Sequence, residues 1–313
     1  MKFVSPDCLK EFVCAGGACK HTCCAHWEID IDEETRARYH ALSEPLRSFI
    51  ESGIDDAEDG THFRMKAGER CFFLRDDGLC ELIVREGPDI LCQICADHPR
   101  FRNFFSDREE TGLGLCCEEA GRLILTREAP MTFLIEDDGD DDGEPLTEEE
   151  EALLTLREQL ISLMQNREKT VDERLDEMLT LCAPGSRLPA IREFAAFLKP
   201  LETLDPEWTR RMETLEKAED PLTLHDIGTP MEQFAVYLLW RQLPEALIDG
   251  DIEDRVRRIV MTCRLLATLD ATYPGQLIEN ARLYSSEIEY SDVNGDLILD
   301  YLYEYNRVGE EKE

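Results

Sequence analysis

The sequence predicts a mostly α protein in two parts, a cysteine-rich α+β segment with short hairpins and then an all-α helical domain. Three observations carry that reading. Eleven of the thirteen cysteines fall within the first 117 of 313 residues. From Glu136 to Glu151 the chain holds eleven acidic residues and no basic one, with Gly139, Gly143 and Pro145 interspersed. After Thr147 apolar residues recur at i, i+3 and i+4, the spacing of a helix face. The expected domains are therefore 1–135 and 148–313, joined by a solvated acidic linker at 136–147.

The first segment is organised around Cys14-Ala-Gly-Gly-Ala-Cys19-Lys-His-Thr-Cys23-Cys24-Ala-His-Trp27. Four cysteines lie close together, with two glycines that let the backbone turn tightly. Cys71, Cys80, Cys92, Cys95, Cys116 and Cys117 are too distant to share that loop. They make sense if the chain returns repeatedly to one point to supply thiolates. Such a nest binds metal or an iron–sulfur cluster and stands in for a large apolar core. A disulfide framework is the rival, disfavoured because Met1-Lys2-Phe3-Val4-Ser5-Pro6 carries no apolar export signal. No apolar run reaches the length of a membrane span, so a cytoplasmic protein with reduced thiols is expected.

Taken in order, Glu28-Ile29-Asp30-Ile31-Asp32 alternates like a short strand. A helix follows from about Glu33 to Ser52, with Tyr39, Leu42, Leu46 and Phe49 on one face and Gly53 ending it. Residues 55–61 read as an acidic turn. Arg70–Leu74 and Leu79–Leu82 read as paired strands around the turn Asp76-Asp77-Gly78, presenting Cys71 and Cys80 together. Cys92-Gln-Ile-Cys95 adds a Cys-x-x-Cys before Asp97-His98-Pro99-Arg100. Cys116-Cys117 opens a helix, whose N-terminus favours thiolate. Helices are expected near 147–166, 170–182, 189–199, 206–218, 230–248, 251–270 and 291–305, punctuated by Pro184, Pro200, Pro221 and Pro274. Cys182 and Cys263 sit among apolar residues and read as buried small hydrophobes.

The chain has 34 basic and 69 acidic residues, a net charge of −35. That excess argues against nucleic acid and anionic membranes as partners, and it suits a lysine-bearing one. A surface made acidic for solubility would look the same. Gly112-Leu113-Gly114 lacks the third glycine and the βαβ setting of a dinucleotide fingerprint, and no phosphate-binding Gly-x-x-x-x-Gly-Lys occurs. Cys19-x-x-x-Cys23-x-x-His26 falls one residue short of the three-cysteine spacing of radical S-adenosylmethionine enzymes.

Several motifs together carry a resemblance. They are Phe12-x-Cys14-x-Gly16-x-x-Cys19-x-x-Thr22-Cys23-Cys24-x-x-Trp27, Cys71-x-Phe73-Leu74 with Gly78-Leu79-Cys80, Cys95-x-x-His98-Pro99-Arg100, and Leu115-Cys116-Cys117-Glu118-Glu119-x-x-Arg122-Leu123. In the helical half, Glu232-x-Phe234-x-x-Tyr237-Leu238-x-x-Arg241, Asp249-Gly250-Asp251 and Ser286-Glu287-Ile288-Glu289-Tyr290-Ser291-x-x-Asn294 continue it. The chain resembles the flagellin lysine-N-methylase family, and its first part is similar to zinc- or iron-chelating cysteine-rich domains. His98, Tyr290 and Glu118 stand where the family usually has Tyr, His and Pro, and Cys8, Cys92 and Cys116 are additional to its set.

The resemblance implies transfer of methyl groups from S-adenosylmethionine to lysine side chains of flagellin or another lysine-bearing protein. It implies metal ligation by Cys14, Cys19, Cys23, Cys24, Cys71, Cys80, Cys95 and Cys117, as an iron–sulfur cluster or zinc. The amine must lose its proton to attack, and alignment of donor and amine supplies much of the rate. Candidate catalytic groups are Glu232, Tyr237, Arg241, Glu287, Glu289 and Tyr290; ordinary polar residues on helix faces would look alike. The alternative function is a non-catalytic metal-binding or redox-sensing module whose helical half docks a partner.

Overall fold

The computed structural model describes residues 1–57, 60–137, 139, 143–217 and 227–310, the last three as backbone only. It is 56% helical with several small sheets. Packing divides the chain into Val13–Arg100 and a larger unit made of Met1–Phe12 with Phe101–Glu313. Residues 101–135, expected with the cysteine-rich segment, thus pack with the helices. Strand β1 (Lys2–Pro6) opens the chain and belongs to the larger unit.

In the smaller unit, Asp32 caps helix α1 (Glu33–His40) by accepting the Thr35 N–H at 2.8 Å. Its other carboxylate oxygen accepts the Gln93 N–H at 3.0 Å, tying two distant segments together. The single helix expected over 33–52 is in fact two, because Pro45 lacks an N–H and disfavours helical geometry before it. Helix α2 (Leu46–Glu51) resumes after it. The expected acidic turn is a hairpin of β2 (Ile54–Ala57) and β3 (Gly60–Phe63), with residues 58 and 59 outside the described set. Its acids find partners: Asp55 pairs with Arg64, and Asp56 with Arg36.

Strands β4 (Met65–Lys66) and β5 (Arg70–Cys71) pair with each other. The expected hairpin over 70–82 shrinks to one bridge, Leu74 to Cys80, and its return run becomes helix α3 (Glu81–Glu86). Glu28–Asp32 likewise makes one bridge, Asp30 to His62, in place of a strand. Neither run has a continuous partner strand to complete a ladder. Helix α4 (Gln93–Asp97) follows Cys92. The core is aromatic, with the Phe63 and Phe73 rings edge to face at 5.2 Å and the Tyr39 hydroxyl donating to the Ile90 carbonyl at 2.8 Å.

The larger unit continues with β6 (Arg100–Phe104), β7 (Arg108–Leu113), α5 (Glu118–Leu125) and β8 (Phe133–Asp137). The sheet order is β6-β7-β1-β8, with β1 parallel to β7 and antiparallel to β8. This sheet was not anticipated. Of the acidic tract, Glu136 and Asp137 extend β8, and residues 138 and 140–142 lie outside the described set.

Helical elements follow, with a short 3-10 turn (Leu243–Glu245) between the fifth and sixth of them. They are α6 (Glu148–Met164), α7 (Val171–Cys182), α8 (Ile191–Leu198), α9 (Pro206–Glu216), α10 (Thr229–Gln242), α11 (Ala246–Asp249), α12 (Ile252–Thr272), α13 (Leu277–Tyr284), a π-helical turn (Ser285–Glu289) and α14 (Asp292–Glu310). Thr147 with Glu150 and Thr170 with Glu173 form reciprocal capping boxes at α6 and α7. Helices α10 and α12 are buried on nearly every side and run through the core, carrying polar and charged side chains with them. The buried Arg157 of α6 holds Glu110 of β7 with both guanidinium nitrogens and stacks 4.3 Å over Trp240.

Candidate functional site

In the smaller unit the glycines of the first cysteine loop explain how it folds. A Cβ on Gly17 would lie 2.6 Å from the Asp77 carbonyl, so only glycine lets the loop rest on the Asp77–Leu79 turn. Gly16, at φ +55°, lies against Leu79 in the same contact. That brings the Cys14–Cys19 loop to the turn preceding Cys80. The Cys71 N–H donates to the Cys24 carbonyl at 2.8 Å, joining two further cysteines.

Cys24, Cys71, Cys80, Cys92 and Cys95 feel one another's charge. A hydrogen bond from Cys23 pulls the Cys24 thiol down to about 7, against burial, with Thr22 helping. A hydrogen bond from Cys95 likewise lowers Cys92, and Cys95 is raised by that bond and by burial. Burial raises Cys80 and pushes Cys71 up to about 12. Cys24 and Cys92 are therefore the more acidic thiols of the group. The donor type suits zinc or iron–sulfur chemistry. The arrangement does not hold it as it stands: among the described residues no group of three or more His, Cys, Asp or Glu side chains is placed to hold a metal ion. None of the thirteen cysteines forms a disulfide.

Cys14 is exposed and its sulfur accepts the Gly16 N–H at 3.4 Å. Cys117 belongs to the larger unit, where it is the N-cap of α5. Cys92, outside the ligand set implied by the resemblance, lies in the thiol group; its Cys-x-x-Cys spacing was the signal.

The larger unit brings together Tyr237, Arg241, Glu289 and Tyr290. Tyr237 and Arg241 lie one turn apart on α10, and Glu289 ends the π-helical turn, a feature frequent at functional positions. The Tyr237 hydroxyl donates to Glu289 Oε2 at 2.6 Å, and Gln242 Nε2 donates to Oε1 at 3.0 Å. Arg241 donates to the Glu289 main-chain carbonyl at 3.2 Å, and its Nε lies 3.6 Å from Oε1. Its guanidinium is held between Phe101 and Tyr290, 4.7 and 4.6 Å from their centroids. Burial, then the Glu289 charge, raises the Tyr237 phenol well above its ordinary value, so it remains a donor. Tyr290 is 47% exposed and its hydroxyl bonds Cys116 and Arg241. Burial pushes the Cys116 thiol up to about 11.

Glu232 and Glu287 lie apart from this group. Glu232 is buried between Arg167 and Arg174. Glu287 accepts the Leu204 and Asp205 N–H groups at 2.7 and 2.8 Å, holding the start of α9. In these places the two carboxylates hold arginine side chains and backbone N–H groups. Gln242 and Phe101 were missed; Gln242 adjoins Arg241, but nothing in the sequence separates it from other helix residues.

Against known proteins, no family model and no solved structure matches the chain. Curated relatives do. The flagellar biosynthetic protein FliU of Salmonella muenchen is 27% identical over 126 residues, 38% of this chain and 75% of that protein. Lysine-N-methylases of Salmonella typhimurium and Salmonella choleraesuis are 27% identical over 126 residues, 38% of this chain. The chain is similar to the lysine-N-methylases. The similarity covers 31% of the length of those lysine-N-methylases, so it extends over a part of each partner. No helix among the described residues is long and apolar enough to cross a membrane.

Proposed function

We propose that the chain is a protein-lysine N-methyltransferase that takes methyl groups from S-adenosylmethionine and places them on lysines of flagellin or a similar lysine-bearing protein. The observation that carries this reading is the similarity to proteins named lysine-N-methylase. The grouping of Tyr237, Arg241, Glu289 and Tyr290 supports it. Bound S-adenosylmethionine supplies an electrophilic methyl group. The chain's own residues provide the rest. Tyr290 is partly open to solvent, and its ring offers a lysine ammonium a cation–π contact. A proton given to Tyr237 Oη is matched by one passed from that hydroxyl to Glu289 Oε2, 2.6 Å away. Arg241 and Gln242 fix the carboxylate that receives it. Mass spectrometry of flagellin lysines after co-expression tests the reading. Methylated lysines with the wild-type chain and none with Tyr237→Phe are expected; equal methylation without the chain rejects it.

A second reading rests on the thiol group. We infer that Cys14, Cys19, Cys23, Cys24, Cys71, Cys80 and Cys95, with Cys92, are the thiols of the smaller unit from which a metal or iron–sulfur centre draws its ligands. In a non-catalytic module the helical unit would dock a partner. Metal analysis and an optical spectrum of anaerobically purified protein decide it. Less than about one metal ion per chain would end the metal assignment.

A further inference from the structure

Strand β8 is the outer strand of the β6-β7-β1-β8 sheet, and among the described residues no strand lies on its far side. The register shows which groups that edge presents. The Asp7 N–H donates to the Thr132 carbonyl at 2.9 Å, while the Lys2 N–H turns the other way, to the Asp107 carbonyl at 3.1 Å. Bonded positions alternate in an antiparallel pair. The backbone groups of Leu134 and Glu136 therefore face β1, and those of Phe133, Ile135 and Asp137 face outward. An edge of unpaired N–H and C=O groups is a template for another strand. The only charges on β8 are Glu136 and Asp137 at its end, it holds no proline, and Ile135 is 64% exposed.

An open groove of about 790 Å³ adjoins the start of this edge, entirely within the larger unit. Pro130, Met131 and Phe133 form one wall, and Glu158, Ile161 and Leu163 of α6 line the other. Phe133 belongs to both features, since it starts β8 and lines the groove. Ile135, two residues on, shares its face of the strand. The Phe133 ring is held from behind by stacking on Trp240 at 4.2 Å. Gln165 Nε2 donates to the Met131 carbonyl at 2.9 Å and fixes α6 against the segment before β8. Both walls are thus in place before anything enters. The groove is lined by one acid, Glu158, and by no base. The tract that joins its walls, from Glu136 to Glu151, holds eleven acids and no base.

We propose that β8 and the groove form a docking site for an extended, lysine-bearing segment of another protein, which joins the sheet as a strand beyond β8. The outward backbone groups of Phe133, Ile135 and Asp137 pair with the guest backbone, and alternate guest side chains lie over the groove. Lysine suits that place on two counts. Its methylene stem covers the Phe133 and Leu163 side chains, and its ammonium pairs with Glu158. A second copy of this chain fits poorly, because it would set Glu136 and Asp137 against like charges on a molecule of net charge −35. The docking site stands without the methyl-transfer reading. That the docked segment carries the lysine to be methylated rests on that reading.

The test is fluorescence anisotropy of a labelled peptide titrated with the full chain. The peptide alternates lysine and valine over about ten residues, within the range of strand lengths. One control replaces its lysines with glutamates. Another methylates alternate backbone nitrogens, which keeps the charge and removes strand pairing. Two protein variants accompany the wild type. Ile135→Pro removes an outward N–H and none that faces β1, so the ladder to β1 remains. Glu158→Lys reverses the charge of the groove at an exposed helix position. The wild type is expected to bind the lysine peptide and neither control. Ile135→Pro should bind it roughly 10-fold more weakly, and Glu158→Lys about 5-fold more weakly at low salt. Equal binding of the N-methylated peptide overturns strand addition, and it decides the matter even if Ile135→Pro does not fold. Unchanged affinity in both variants overturns the site, as does a wild type that binds no peptide. A wild type that dimerises, and that Ile135→Pro returns to monomer, overturns the assigned occupant in favour of a second copy. If the lysine peptide binds at β8 and flagellin receives no methyl group, the docking site stands and the methylase reading falls. If flagellin is methylated although no peptide binds, the reverse holds.

Discussion

Glu289 is the residue on which the carboxylate group turns, because three side chains from α10 converge on it. Glu289→Gln removes its charge and strands Arg241 in a buried place, which should cost about 3–5 kcal/mol. Chemical denaturation measures that loss. Tyr237→Phe removes one donor and should cost about 1 kcal/mol while abolishing transfer. The two variants therefore separate stability from catalysis. Glu287 provides the contrast. Glu287→Ala leaves two backbone N–H groups without their acceptor and should destabilise the fold by about 1–3 kcal/mol per group, with methyl transfer retained by the folded fraction. His98 gives a pH signature for the smaller unit. Burial lowers its pKa from 6.5 to about 4. The unfolded chain then binds the extra proton, so stability is full above pH 6.5 and falls as pH drops toward 4, by about 3 kcal/mol. Denaturant titrations across that range should show the slope, and His98→Phe should flatten it.

Among elements, the contact between the end of α2 and the Arg70–Leu74 segment is the tightest test of packing. A Cβ on Gly53 would meet the Phe73 ring at 2.4 Å and the Phe72 ring at 2.5 Å. Gly53→Ala should therefore disorder the aromatic core of the smaller unit, read as lost near-UV dichroism. The sequence pattern reveals why some elements were legible and others not. Helices α6, α7 and α12 carry long apolar stripes, and their starts are marked by Thr147, Thr170 and Asp251, so their bounds agree within two residues of expectation. Strands β1, β7 and β8 are short, and β1 pairs with strands more than a hundred positions away, which no local period encodes. The run Leu79–Leu82 was apolar enough for a strand, yet without a facing ladder Glu81 onward took helical hydrogen bonds. At the site, Tyr237, Arg241, Glu289 and Tyr290 were legible as a group only through resemblance.

For the whole molecule, a net charge of −35 sets a field that attracts cationic groups. If that field guides the substrate, turnover at low substrate should fall as salt rises, since exposed charges are screened beyond about 10 Å at 0.1 M. Turnover independent of salt would mean that the acidity serves solubility alone. The thiol group makes a separate demand. Cys71→Ser with Cys80→Ser should strip metal and unfold the smaller unit, because structural metal sites contribute on the order of ten kcal/mol. The most direct measurement is transfer of a labelled methyl group from S-adenosylmethionine to purified flagellin, under anaerobic conditions with metal loaded. Lysine methylation predicts label on flagellin lysines with the wild-type chain and its loss with Tyr237→Phe. A wild-type chain that binds no S-adenosylmethionine and leaves flagellin unlabelled contradicts it.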